Sequence, residues 1–229
     1  GFGNAGGDTD VTINDGTIYA YNLGITENSD SFDKFVPAAA IGGGGSKNQA
    51  GSLKANIIIT GGTIYAQSMG GAAIGGGCSA NALGGPATIT ITGGTIIAKS
   101  TAGKYKGTSI NPGVSIGGGT GATGGGSVTL NIDGGTLRTG SIGGGKATNA
   151  GANIGSANVT ITGGDITGQV IMAGGASSNC SFTMSGGRIH DTDVVNGNTI
   201  TDTNIVDPQK DVKISYIEKM AALSGWKTQ

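Results

Sequence analysis

Six segments of this chain repeat one pattern: VTINDGTIYA from Val11, IIITGGTIYA from Ile57, ITITGGTIIA from Ile89, LNIDGGTLRT from Leu130, VTITGGDITG from Val159 and FTMSGGRIHD from Phe182. IGGG follows each of the first four, at Ile41, Ile74, Ile116 and Ile142, and MAGG at Met172 and Val195-Asn196-Gly197 stand in its place after the fifth and sixth. Each repeat reads as strand, Gly-Gly corner, strand, connection, short strand and glycine-rich return. Such units cannot bury an apolar face alone and must stack.

The alternation inside each strand fixes which side faces in, because successive side chains point to opposite faces. Ile59, Ile91, Ile132, Ile161 and Met184 share one inward column, and Ile18, Ile64, Ile96, Leu137, Ile166 and Ile189 another. Thr12, Thr90, Asn131, Thr160 and Thr183 fall between apolar neighbours and point outward. Continuous columns require coils stacked ~4.8 Å apart. The expected fold is therefore all-β, a parallel β-helix of about six or seven coils over residues 1–210, right-handed by the general bias of parallel crossovers. From Asp211, the spacing of Val212, Ile214, Ile217, Met220, Leu223 and Trp226 predicts an amphipathic helix over 211–229 that caps the stack or leads to a further domain.

The chain has 49 glycines among 229 residues but no Gly-X-Y period, which excludes collagen. About a dozen glycine clusters precede strands, whereas a phosphate-binding loop needs one before a helix, so the glycines are expected to turn corners. The opening GFGNAGG resembles the tail of the later glycine segments. The expectation is that the chain starts inside a repeat and is flanked by further coils or domains.

Repeat length varies. Successive corner threonines, Thr17, Thr63, Thr95 and Thr136, are 46, 32 and 41 residues apart, and the next steps, to Asp165 and Arg188, are 29 and 23. The excess falls mainly between the second strand and IGGG, at residues 21–37 and 99–113. Insertions at one corner of a solenoid often build a binding face.

The alternation of TITGGTI.A with AAIGGG is similar to glycine-rich β-helix repeats in large secreted or surface-anchored proteins of Gram-positive gut bacteria, which are carbohydrate-binding-like or adhesin-like. The resemblance covers about residues 1–198. It implies an extracellular or cell-surface address and an adhesin, glycan-binding or stalk role, with glycan or a host surface protein as partner. No ligand residue is carried over by it.

The net charge of −1 gives no overall attraction to nucleic acid or to an anionic membrane, and no apolar run is long enough for a spanning helix. The distribution is uneven: residues 1–33 carry six acids and no Lys or Arg, and residues 34–132 six lysines and no acid. Glycoside hydrolysis usually needs two carboxylates ~5 to 10 Å apart, and the central coils supply none before Asp133. Asp15 and Asp133 sit at corners two or more coils apart, where aspartate satisfies turn amides. The densest polar cluster, His190, Asp191 and Asp193, reads either as a solvated loop or as a weak acid/base or metal site. His190 is the only histidine, and no catalytic residue, metal site or cofactor is expected. Cys78 and Cys180 lie several coils apart, too far for a bridge, and are expected as free thiols. Part of a polysaccharide-active β-helix enzyme and a subunit of an extracellular filament remain the alternative readings.

The candidate binding residues are Tyr19 and Tyr65, on one outward column of adjacent coils, Tyr21 beside the first insertion, and Lys104, Tyr105 and Lys106 in the second. Aromatic faces pack on the apolar faces of sugars while polar neighbours take the hydroxyls. The competing reading is a plain side-chain ladder with oppositely charged loops. An ice-binding face is a further reading, disfavoured by the mixture of Thr12, Ile58, Thr90 and Asn131 in one column.

Overall fold

The computed structural model describes residues 5–22, 37–105, 108–171, 180–190, 192–195 and 212–215. Short strands and bridges account for the regular structure, and among the described residues there is no helix. Nearly all strand pairs are parallel and join equivalent positions of successive repeats, as in a parallel β-solenoid.

The residues before each Gly-Gly corner form a six-stranded sheet, in the order Thr9–Ile13, Ala55–Ile59, Ala87–Ile91, Val128–Ile132, Ala157–Ile161 and Ser181–Met184. Its register carries Ile13 to Ile59, Ile91, Ile132, Ile161 and Met184. The residues after the corner form a second face from Thr17–Asn22, Thr63–Met69, Thr95–Thr101, Thr136–Gly143, Asp165–Ile171 and Arg188–His190. Here Ile18, Ile64, Ile96, Leu137, Ile166 and Ile189 stack in line. From Ile59 and Ile64 onward both columns are buried, and they meet as the main core. Burying one such side chain stabilises by about 1.5–3 kcal/mol, and the repeat supplies a matching one at every rung.

Each corner is a tight turn between these two sheets. Gly62 holds φ +86, and a Cβ there would lie 2.7 Å from Gly16 O, so both conformation and space exclude larger residues. The third face begins with the IG pairs Ile41–Gly42, Ile74–Gly75 and Ile116–Gly117. In the fourth repeat the connection is so short that Thr136–Gly143 runs through the corner as one strand, with a register shift between Arg138 and Ser141.

The IGGG glycines do more than turn. Outgoing IGGG segments and returning glycines meet across the coil and bond backbone to backbone: Gly85 N to Gly77 O, Gly119 N to Gly85 O, Gly126 N to Gly119 O, Gly145 N to Gly126 O and Gly155 N to Gly145 O, all 2.7–2.9 Å. This staircase leaves no room for side chains. A Cβ on Gly76, Gly84 or Gly118 would sit 1.9 Å from the carbonyl oxygen of Gly85, Gly119 or Gly126. The expectation that these glycines act only as corners is corrected: they form an interior of packed main chain. At the lower coil Ser52 Oγ accepts the bond from Gly77 N at 3.2 Å. Inward serines join the two interiors, with Ser68 donating to Ala38 O at 3.0 Å and Ser100 to Gly71 O at 2.6 Å.

Two expectations at the far end need correction. Val170 and Val194 occupy the column of Ile142, so Met172 and Val195 are not the equivalents of the IGGG isoleucines. Val212–Ser215 pairs in parallel with Thr192–Val195, so these four residues extend the ladder where the helix was expected to start. In this register Ile214 pairs with Val194 and Val212 with Thr192. Residues 216–229, the rest of the expected cap, lie outside the described residues.

Candidate ligand-binding face

The second face turns three columns outward. Thr17, Thr63, Thr95, Thr136, Asp165 and Arg188 form the first; Tyr19, Tyr65, Ile97, Arg138 and Thr167 the second; Tyr21, Gln67 and Lys99 the third. The TIYA, TIYA, TIIA and TLRT segments place these residues together because each begins at the corner threonine and keeps period two.

Tyr19 and Tyr65 stack with ring centroids 4.9 Å apart and planes 6° from parallel. This is the spacing of neighbouring strands, so the rings stand off the sheet and face one another along the solenoid axis. Each ring covers one face of the other. The exposed parts are the ring edges and the outer face of Tyr19, which is 63 % exposed; among the described residues no strand pairs on its far side. Tyr21, 56 % exposed, stands two residues further on the same strand.

The second insertion is a β-hairpin. Gly103–Tyr105 pairs antiparallel with Thr108–Ile110, placing Lys104 opposite Ser109 and Tyr105 opposite Thr108. It leaves the solenoid just after Thr95–Thr101, at the end of the face that carries the tyrosines. Lys106 and residues 23–36 of the first insertion lie outside the described residues. Ile97 and Arg138 share the tyrosine face but were not assigned to it from sequence, and Lys99, expected as the start of the second insertion, stands within Thr95–Thr101 on that face. Aligning the four segments at their threonines would have found Ile97 and Arg138, since both stand where Tyr19 and Tyr65 stand.

The acids lie elsewhere. Asp15 accepts a hydrogen bond from Gly16 N at 2.7 Å and closes its own turn. Asp133 accepts one from Thr162 Oγ1 at the next corner. They follow the first and fourth strands of the first sheet, three rungs or roughly 14 Å apart, beyond the span of a glycosidase pair. Asp10 accepts from Lys54 Nζ at 2.8 Å and from Asn56 Nδ2 at 3.1 Å, and these contacts hold its carboxyl below the usual range. His190 ends a strand opposite Thr167, and Asp193 stands within another opposite Lys213, so both belong to the ladder where a loop was one reading. Asp191 lies outside the described residues. Among the described residues no three His, Cys, Asp or Glu gather as a metal site.

Both cysteines are free thiols. Cys78 is buried in the glycine-rich interior, and burial pushes its pKa up to about 11. Cys180 is half-buried, and its Sγ accepts from Ala157 N at 3.4 Å.

The described strands define an all-β chain of mostly parallel sheets, consistent with a parallel solenoid. No protein-family model, curated protein or solved structure matches the chain.

Proposed function

We propose that this chain is a non-enzymatic module of a bacterial surface or secreted protein. In this reading it is a right-handed parallel β-helix of about six or seven coils that acts as a rigid stalk and presents its tyrosine face to glycan, as an adhesin does. Rigidity follows from the double interior, in which apolar columns and a hydrogen-bonded main-chain staircase link successive coils. The observation that carries the binding role is the Tyr19–Tyr65 stack on an exposed face beside the third-coil hairpin. The stack narrows how a sugar would bind: against the outer face of Tyr19 and along the ring edges, where the phenol hydroxyls meet its hydroxyls.

The test is a glycan-array experiment on this chain with a Tyr19→Ala/Tyr65→Ala variant beside it. Selective binding lost in the variant supports the reading. No binding to any glycan removes the glycan role and leaves a stalk whose function lies in what it holds apart.

A further inference from the structure

The column holding the tyrosines changes character along the axis. Tyr19, Tyr65, Ile97 and Arg138 follow one another over four rungs, a span of roughly 14 Å. Lys99 lies two residues beyond Ile97 on the same strand, ~7 Å across the face. One end of the strip is thus aromatic and the other cationic, with an aliphatic side chain between.

Both cations are exposed, and neither takes part in an ion pair among the described residues, where the salt bridge is Lys54 to Asp10 on the other sheet. No outward position from Thr17–Asn22, Thr63–Met69, Thr95–Thr101 or the Thr136–Thr139 stretch is acidic. The nearest acids before the corners, Asp15 and Asp133, are engaged in the hydrogen bonds given above. Asp165 opens the next rung and bounds the cationic stretch. The surrounding sequence has the same bias, with six lysines and no acid over residues 34–132.

We propose that this strip binds an anionic polysaccharide laid along the solenoid axis, with sugar rings along the edges of Tyr19 and Tyr65 and on Ile97, and carboxylates on Lys99 and Arg138. The inference rests on the glycan reading above and deepens it. An extended polymer suits a straight column better than a pocket does, because its repeat meets equivalent rungs in turn. Arg138 offers a planar fork that can hold a carboxylate with two parallel hydrogen bonds, and Lys99 adds a point charge beside it.

The experiment measures binding of the whole chain to polygalacturonate, alginate and hyaluronan, each beside a counterpart with its carboxyls methyl-esterified, at low and at physiological salt. At least one acid form is expected to bind about tenfold more tightly than its ester, with the preference shrinking as salt rises. Lys99→Ala/Arg138→Ala should abolish the preference, Arg138→Lys should restore part of it, and Tyr19→Ala should weaken acid and ester alike. Equal binding of acid and ester, or a preference that survives Lys99→Ala/Arg138→Ala, overturns the proposal. Failure of all three acids while neutral glycans still bind on the array overturns it and leaves the glycan reading standing. Failure with every glycan removes both.

Discussion

The two halves of the coil are held together by different chemistry. Where the first and second sheets meet, side chains fill the interior, and Ile91, Ile96, Ile132 and Leu137 are fully buried. Between the IGGG segments and the returning chain, peptide groups fill it, with the carbonyls of Gly85, Gly119 and Gly126 lying where side chains would stand. A side-chain core responds to mutation in steps, because a lost methylene leaves a cavity that neighbours partly close. A main-chain interior has no such reserve: a single methyl must displace backbone that is itself hydrogen bonded.

Substitutions at four positions test that difference. Gly118→Ala would put a methyl 1.9 Å from Gly126 O, and it is expected to cost more than ~4 kcal/mol or to prevent folding. Soluble yield and the urea midpoint check this; a near-normal midpoint would break the contrast. Ile91→Ala, in the other half, should cost about 2–5 kcal/mol while keeping a cooperative transition, and Ile91→Val about 0.5–1.5 kcal/mol. A glycine outside the staircase should behave differently again. Gly16 has φ +96 with open space around its Cβ position, so Gly16→Ala should cost only the ~1–2 kcal/mol of the left-handed backbone. Gly7, with neither positive φ nor a neighbour within 4 Å, should tolerate alanine within ~0.5 kcal/mol by the same midpoint measurement.

The cysteines sharpen the comparison without altering the fold. With its pKa near 11 inside the glycine half, Cys78 should stay unlabelled by iodoacetamide at neutral pH in the native protein, while half-buried Cys180 reacts first. Mass spectrometry of the labelled peptides checks the order. Equal rates would mean that the glycine half opens to solvent on the labelling timescale.

Much of the candidate site was legible. The shared TIYA of the first two repeats placed Tyr19 and Tyr65 on one outward column of adjacent coils, and the register bears this out. That their rings face each other was not legible, because the alternation gives the direction a side chain leaves the strand but not its rotation. The insertion at 99–113 was visible as extra length, whereas the pairing of Gly103–Tyr105 with Thr108–Ile110 depends on a turn with no repeat to compare against. At the other end, the three-residue spacing from Val212 suited a helix, but the edge of Thr192–Val195 offered those residues a ladder, and pairing overrode local pattern.

The sequence by itself determined the columns, the two sheets and their registry, because stacked rungs bring like residues together and period-two alternation then fixes every inward position. Only the tertiary structure decided what the glycines do. A run of IGGG is compatible with a corner, a loop or a packed interior, and the choice depends on how closely two segments separated in the chain approach. Gly118 and Gly126 bound one excursion of the chain, and their meeting at main-chain contact distance is set by the closure of the whole coil rather than by either segment alone.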